Sequence, residues 1–266
     1  MEPSRITFTA FMKNYRKETN INELGKLVSG LGFNGIELAV RPGYQVEPEN
    51  AEKGISEATN QLAEYGLKVA SLAAPPTEAV LAGCQAAGVP FVRVLKSIDL
   101  KIGYDASIEN IRKEFDTLAP LCEKYGVVIG LQNSSGAMIS SSMELRNFIR
   151  NYSPNVVGAI WDSAHSALCG EEPEQGLSII WDHIKMINLK NAYYRRVNGY
   201  ESRPQWEKYF TTAENGLSDW TRIAVFLKER KFTGTICFAH EYTDQENLLK
   251  YLKGDLEYAR NLFRGC

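Results

Sequence analysis

Residues 51–72, AEKGISEATNQLAEYGLKVASL, contain the unit on which the fold prediction depends. An amphipathic helical pattern runs over 51–65, Gly66 ends it, and the apolar run 67–72 follows at once. Glycine directly after a helix is the usual left-handed C-terminal cap. A short apolar run bounded by turns is typical of a parallel strand that is covered on both faces. The segment therefore predicts a helix followed immediately by a buried strand.

This helix-to-strand unit recurs along the chain. Strands are predicted over 6–11, 32–40, 67–72, 89–95, 127–131, 156–161, 184–189 and 234–239. Helices are predicted over 21–30, 51–65, 77–87, 108–125, 143–151, 172–181, 217–231 and 245–264. Strict alternation indicates an α/β sheet, and eight units in 266 residues favour a single (β/α)8 TIM barrel over 1–266. The alternative, an open doubly wound sheet, predicts a glycine-rich fingerprint after the first strand, where FMKNYR (11–16) has no glycine.

Composition narrows the class of protein. Hydrophobic residues make up 44% of the chain, charged residues 23%, and the formal net charge is -2. No basic face is implied, so we expect no nucleic-acid partner. No apolar run approaches the roughly 18 residues of a membrane span, and MEPSR (1–5) lacks the start of a signal peptide. The odd number of cysteines, without a CxxC pair, favours a reducing compartment, so we expect a cytoplasmic protein; they are Cys84, Cys122, Cys169, Cys237 and Cys266.

The longest irregular stretch is predicted over 193–215. A loop of this length after a strand is often a functional lid. A decorated surface loop is the alternative interpretation.

Polar residues follow the predicted strands where a barrel would place its active site. Catalytic groups of TIM barrels lie at the carboxyl ends of the strands, and charged groups there need a partner or a function because their burial is costly. The residues at these ends are Glu37, Arg93, Lys96, Gln132, Asn133, Asp162, His165, Asn188, Lys190, His240 and Glu241. Their convergence at one rim predicts a ligand site.

Four segments resemble the strand motifs of the xylose-isomerase-like barrels: GFNGIE (32–37), WDSAH (161–165), INLKN (187–191) and GTICFAHE (234–241). This family includes sugar and sugar-phosphate isomerases and epimerases, inosose dehydratase, hydroxypyruvate isomerase and endonuclease IV. The resemblance implies a role in carbohydrate metabolism, with a small sugar or polyol as substrate. Barrels of this family often pair, so the resemblance is also compatible with a homodimer.

The resemblance implies a divalent-metal site whose ligand positions fall on Gln132, Asp162, Asn188 and Ala239. Only Asp162 keeps a carboxylate, and one carboxylate with two amides binds a hard cation weakly. Glu241 shares the strand parity of Ala239, so a bulge would turn it into the site. We therefore expect no resident cofactor. If manganese, magnesium or zinc binds, its ligands would be Gln132, Asp162, Asn188 and Glu241.

The same resemblance and the strand-end positions give each remaining residue an expected role. Asp162 or Glu241 would be the base of a proton transfer next to a carbonyl, and His165 would be an acid or a polar contact. Lys190 and Lys96 would stabilise the oxyanion in place of a metal. The expected substrate-binding residues are Glu37, Lys96, Gln132, Asn188 and His240.

Three alternatives remain at this point. One is a non-catalytic sugar-binding barrel that has lost the metal and the activity. Another is an endonuclease IV-like role, which the chain's three histidines and slightly negative charge disfavour. The third is a Schiff-base lysine at Lys190, since burial lowers the pKa of a lysine.

Overall fold

The computed structural model describes residues 6–264. The predictions that rest on residues 1–5 and on Cys266 lie outside this range. Eight parallel strands close into a barrel in which each strand pairs with the next barrel strand along the chain and the last pairs with the first. The predicted (β/α)8 TIM barrel is confirmed.

The barrel strands agree with the predicted ones except at their ends. They are β1 Ile6–Ala10, β2 Gly35–Ala39, β3 Lys68–Ala73, β4 Phe91–Val94, β5 Val128–Gln132, β6 Val157–Asp162, β7 Ile184–Leu189 and β10 Gly234–Phe238. Several begin later or end earlier than predicted, and β3, β5 and β6 each extend one residue past the predicted carboxyl end. Register places Asp162 opposite Asn188 between β6 and β7, and Asn188 opposite Cys237 between β7 and β10. Neighbouring strand ends therefore bring distant parts of the chain to one rim.

Helices surround the barrel. They are α1 Ile21–Leu31, α2 Ala51–Ala63, α3 Glu78–Ala87, α4 Tyr104–Tyr125, α5 Ser142–Ile149, α6 Ser163–Leu168, α7 Pro173–Ile180, α8 Trp220–Glu229 and α9 Leu248–Leu262. Gly88 and Gly126 end α3 and α4 in the left-handed conformation, at φ 68° and 63°. The short helix α6 was not predicted; it begins because Asp162 accepts a hydrogen bond from the backbone N–H of His165. None of the helices described over 6–264 has the length and apolar character to cross a bilayer.

The segment predicted as irregular over 193–215 contains a two-stranded antiparallel hairpin. Its strands are β8 Asn191–Arg196 and β9 Trp206–Thr211. Tyr193 lies opposite Tyr209, with ring centroids 5.2 Å apart, and such cross-strand aromatic pairs stabilise a hairpin. The prediction missed the hairpin because both of its strands carry many charged and aromatic residues, which blur the alternation of apolar and polar positions.

Side-chain alternation divides the strands into an outer and an inner face. Outward residues such as Trp161 and Phe238 pack against the helices in the main apolar core. Inward residues such as Ile160, Met186 and Cys237 form a separate apolar layer inside the barrel. The next inward positions toward the carboxyl ends of β6 and β7 are the polar residues Asp162 and Asn188, whereas Ala239 is the next inward position after Cys237 of β10. The interior therefore has an apolar floor beneath a polar mouth.

Close packing between α2 and α3 generates a stability prediction. A Cβ added at Gly83 would lie 2.8 Å from the carbonyl oxygen of Ala51 and 2.8 Å from the Ile55 side chain. We expect Gly83→Ala to lower the free energy of unfolding by about 1–3 kcal/mol, because the helices must separate. Gly30→Ala is the matched control, since no heavy atom lies within 4 Å of its added Cβ; it should raise stability by roughly 0.5–1 kcal/mol. Urea unfolding of both variants tests this, and equal effects would contradict it.

Candidate active site

A buried ion pair lies at the base of the mouth. The Nε and Nη2 atoms of Arg93 donate to the two carboxylate oxygens of Glu37 at 2.8 and 2.7 Å. Its Nη1 atom donates to Oε1 of Gln132 at 2.9 Å, and Nδ2 of Asn188 donates to the same oxygen at 3.1 Å. The exposed fractions of Arg93 and Glu37 are 6% and 1%, so each charge depends on the other for compensation.

Asp162 connects this ion pair to the rest of the site. Its Oδ2 atom accepts from Nε2 of Gln132 at 3.0 Å, and its Oδ1 atom accepts from the backbone N–H of His165 at 3.1 Å. Asn133 holds the backbone of Asp162 through a bond to each of its N–H and carbonyl groups. Asp162 is fully buried. Its carboxylate is thus fixed by neighbours on three elements.

The ammonium group of Lys190 lies at the centre of the cluster. Its Nζ atom is 3.2 Å from Oδ2 of Asp162, 2.9 Å from Oε2 of Glu241 and 3.2 Å from Nε2 of His165. Burial lowers the pKa of Lys190, but the two carboxylates outweigh it, and the pKa is raised overall. The backbone of Lys190 is held by Ser163 Oγ and by Nε1 of Trp220. Lys190 is therefore a fixed, protonated cation.

His165 is neutral at physiological pH. Burial lowers its pKa to about 4, and Lys190 contributes in the same direction against Asp162. Because the ammonium of Lys190 donates to Nε2, the proton of the neutral ring lies on Nδ1, which donates to Oγ of Ser135 at 3.0 Å. A neutral histidine favours the polar-contact role over the acid role that the sequence also allowed.

Glu241 points into the mouth because the chain bends after β10. His240 has a φ of +26°, which is uncommon for a residue other than glycine, and the bend turns the next side chain toward Lys190. Oε1 of Glu241 also accepts from Nζ of Lys13 at 2.6 Å. Burial would raise the pKa of Glu241, but the two lysines lower it to about 2. Glu241 is the most accessible carboxylate of the cluster, with 28% of its side chain exposed.

The hairpin covers part of this cluster. The ring of Phe210 in β9 lies edge-on to His165, with centroids 5.9 Å apart, and 5.0 Å from Nζ of Lys190. Nζ of Lys208 donates to the carbonyl oxygen of Ser135 at 2.7 Å. Phe210 and Thr243 exchange two hydrogen bonds of 2.9 Å. The hairpin therefore bridges from the end of β5 to the segment after β10.

The structure brings most of the predicted residues together. Asp162, His165, Lys190 and Glu241 are in direct contact, and Gln132, Asn188 and Glu37 join them through hydrogen bonds, as described above. His240 is buried next to Glu241, and its ring lies 5.7 Å from that of Tyr15. Both of its ring nitrogens, and Oδ1 of Asn188, lack a partner among the described residues.

Lys96 lies outside this network. Its Nζ atom bonds both carboxylate oxygens of Glu114 in α4, at 2.5 and 2.7 Å. The physical reason is strand parity: Arg93 faces inward, so a residue three positions later faces the helices. The Schiff-base alternative for Lys190 is also disfavoured, because the raised pKa opposes the neutral amine that this chemistry requires.

The roles of Lys13, Ser135 and Phe210 were not predicted from the sequence, and Arg93 was predicted only as a strand-end residue. Arg93 carried the clearest signal, because a charge inside the apolar run VPFVRVL (89–95) requires a buried partner. Phe210 and Lys13 come from segments outside the barrel strands, where strand parity gives no direction.

Asp255 of α9 connects two walls of the mouth. Its Oδ1 atom accepts from the backbone N–H of Ala213, which follows β9, and its Oδ2 atom accepts from the hydroxyl of Tyr242 at 2.9 Å. Burial raises the pKa of Asp255 to about 6. Tyr242 is the residue after Glu241, so one carboxylate holds both the end of the hairpin and the segment that carries Glu241.

The barrel fold agrees with that of a known protein family. The model of the xylose isomerase-like TIM barrel family matches residues 26–262. The chain belongs to this family. Inosose dehydratase of Geobacillus kaustophilus (strain HTA426) is 22% identical over 162 residues, which are 56% of this chain and 53% of that protein. The match thus spans about half the length of this curated relative.

Solved structures of two sugar epimerases match over nearly the whole chain. The 3-keto-D-glucoside 4-epimerase of E. coli has a TM-score of 0.72 at 14% identity, covering 96% of this chain and 99% of its own. The D-psicose 3-epimerase of Clostridium cellulolyticum H10, solved with D-tagatose, has a TM-score of 0.67 at 15% identity, covering 97% and 99%. At these identities the likeness concerns the fold.

The residues at the expected metal positions do not fit a divalent ion. Oε1 of Gln132 already accepts from Arg93 and Asn188, and the ammonium of Lys190 lies between Asp162 and Glu241. A second cation at this place would be repelled by that ammonium at contact distance. Over residues 6–264, no three His, Cys, Asp or Glu side chains are placed to share a metal ion.

The buried ion pair generates a prediction. We expect Glu37→Gln to lower the free energy of unfolding by about 3–5 kcal/mol, because Arg93 would keep a buried charge without compensation. Glu78→Gln is the matched control, since it removes a carboxylate from the exposed pair with Lys124; it should leave stability nearly unchanged. Urea unfolding of both variants measures the difference. A loss in Glu37→Gln as small as that in the control would refute the interpretation.

The two buried histidines predict a loss of stability in mild acid. Burial lowers the pKa of His165 and of His240 to about 4, whereas an unfolded chain protonates histidine near pH 6.5. Between these values the unfolded state binds more protons, so stability falls as the pH falls from 6.5 to 4. Asp255 opposes this trend, because its raised pKa means that protonation favours the folded state. The two histidines outnumber this single carboxylate, so the net effect of acid is a loss of stability.

Urea unfolding at pH 7 and pH 5 measures this effect. The chain should be less stable at pH 5, and His183→Asn, a change in the short turn Trp181–His183 outside the barrel, should show the same loss. Equal stability at the two pH values would show that the burial of the two histidines does not control the acid response.

Proposed function

We propose that this chain is a sugar or sugar-phosphate isomerase or epimerase that moves a proton next to the carbonyl of a small keto-sugar or of the keto form of a polyol. The single observation that carries the proposal is the ammonium of Lys190, held against Asp162, Glu241 and His165 at the mouth of the barrel. The names of its relatives, an inosose dehydratase and two sugar epimerases, support the same substrate class.

Glu241 is the base in this proposal. Its pKa of about 2 keeps it ionised at neutral pH, and it is the accessible carboxylate of the cluster. While both lysines hold it, it is a weak base, and a ligand that displaces Lys13 would raise its basicity. Asp162 is unsuited to this role, because it is fully buried and both of its oxygens already accept hydrogen bonds.

Lys190 is the oxyanion stabiliser. Removing a proton next to a carbonyl develops negative charge on the carbonyl oxygen, and a fixed cation in a buried site stabilises that charge strongly. Asp162 and His165 are positioning residues, since they contact Nζ of Lys190 and hold its direction. In this proposal the protein supplies the positive charge itself and requires no resident metal.

Three buried groups without a described partner supply the substrate contacts. They are Oδ1 of Asn188 and the two ring nitrogens of His240. A buried polar atom without a hydrogen bond costs free energy, and substrate hydroxyls would satisfy both kinds of group. Gln132 supports them indirectly by orienting Asn188.

Solvent-deuterium exchange tests this mechanism. In D2O, the metal-stripped protein should catalyse exchange at the carbon next to the carbonyl of one member of a keto-sugar panel, observed by NMR. Glu241→Gln should lower kcat by about 10²–10⁴-fold, and Lys190→Met should lower it by about 10²-fold or more. Lys185→Met is the matched control, because Lys185 lies near the opposite end of β7; it should keep wild-type exchange. Strict dependence on an added divalent ion would count against the proposed role of Lys190.

One observation favours a second candidate, a sugar-binding barrel without catalysis. Phe210 covers Lys190 and His165, and Lys190 is fully engaged by its protein neighbours. A binder of this kind would raise its Tm with a sugar of the panel and show no deuterium exchange with any of them. Exchange that Glu241→Gln abolishes would exclude this candidate.

A further inference from the structure

Arg41 is a cation of the mouth that the proposed mechanism does not use. The three carboxylates Glu37, Asp162 and Glu241 are matched by three cations that pair with them, as described above; those cations are Arg93, Lys190 and Lys13. Arg41 follows β2 with the same inward parity as Glu37. Among residues 6–264, no carboxylate lies within ion-pair distance of it. The mouth therefore carries an excess positive charge on a chain whose net charge is -2.

The surroundings of Arg41 leave one edge of its guanidinium available. Its Nε atom donates to the carbonyl oxygen of Ala73 at 3.2 Å, and its Cζ atom lies 5.6 Å from the centre of the Phe11 ring. No described group accepts from its two terminal nitrogens. A guanidinium whose Nη edge is open presents paired donors that match the oxygens of a carboxylate or phosphate.

Arg41 is also in an unfavourable electrostatic position without a ligand. It is half-buried, and Cζ of Arg93 lies 4.8 Å from the same Phe11 ring. Burial lowers the pKa of Arg41, and Arg93 lowers it further, while Glu37 opposes this. Glu37 is already engaged by two hydrogen bonds from Arg93. A ligand anion would compensate this charge.

We propose that the ligand of this mouth carries an oxyanion, a carboxylate or a phosphate monoester, and that Arg41 binds it. This inference rests on the proposed function, because it specifies which sugars the site accepts. Arg41 and Arg93 both face the ring of Phe11. From Arg93 a chain of contacts runs through Gln132 to Asp162 and Lys190 across the mouth. The anionic end of the ligand then lies on the β2 side, and its carbonyl lies toward Lys190 and Glu241.

Lys208 adds to the positive field from the opposite side. Its Nζ atom bonds only a backbone carbonyl, that of Ser135, and it contributes to the lowered pKa of His165. Farther out on the rim, Arg16 stacks on Tyr44 and Glu47 accepts from the N–H of Gly43. The opposite charges of Arg16 and Glu47 cancel, so they leave the net charge of the mouth unchanged.

Titration calorimetry at fixed ionic strength tests the inference with three probes: D-fructose, D-fructose 6-phosphate and D-gluconate. At least one anionic probe should bind about tenfold or more tightly than D-fructose. Tighter binding of the phosphate indicates a sugar phosphate as ligand, and tighter binding of gluconate indicates a sugar acid. D-Fructose binding at least as tight as that of both anions, or no anion binding stronger than about 10 mM, would overturn the inference.

Substitutions of Arg41 and Arg16 distinguish a direct contact with the anion from the general electrostatic field of the mouth. Arg41→Gln should raise the Kd of the preferred anion by about tenfold or more and change that of D-fructose little, while Arg41→Lys should restore part of the loss. Arg16→Gln removes the same charge from an exposed position of the same rim and should leave the Kd nearly unchanged. Equal losses in Arg41→Gln and Arg16→Gln would overturn the assignment of Arg41.

The two proposals fail separately. Deuterium exchange from a neutral keto-sugar, without preference for either anion, would refute the role of Arg41 and keep the isomerase. Tight, Arg41-dependent anion binding without exchange on any substrate would refute the isomerase and keep the anion site.

Discussion

The mouth of this barrel depends on one constraint: charges that have lost their water must be compensated inside the protein. Arg93 and Glu37 satisfy each other at the base, and Lys190 satisfies Asp162 and Glu241 above them. Amides then occupy positions between the charges, where Gln132 accepts from Arg93 and donates to Asp162. Each charged side chain in the network is therefore oriented by a neighbour of opposite charge.

Among residues 6–264, the centre of this mouth is occupied by the ammonium group of Lys190 rather than by a set of side chains placed to share a metal ion. A divalent ion and an ammonium group both need surrounding anionic oxygens, but the ammonium brings a single charge and needs fewer of them. Two carboxylates and a neutral imidazole surround Lys190. The neighbouring amides of Gln132 and Asn188 add no charge of their own, which is consistent with a single positive charge at the centre.

The barrel and most of its mouth were predictable from sequence, because helix caps, strand lengths and side-chain parity are local properties. Parity also placed Glu241 on the inner face, although the bend at His240 that directs it is not encoded by a recognisable turn motif. Lys96 was misplaced because its position was judged from its nearness to the strand end rather than from its parity with Arg93. The hairpin was missed because its stability comes from cross-strand contacts, such as Tyr193 with Tyr209, and from its attachment to Thr243.

The carboxylate of Asp255 has a consequence for evolution and engineering. It binds the backbone after β9 and the hydroxyl of Tyr242 at once, so the hairpin and the Glu241 segment share a single anchor on α9. Insertions or exchanges in either segment change the fit of the other. A chimera that takes the hairpin of a relative would need to inherit the matching face of its last helix, and these three segments form one transferable module.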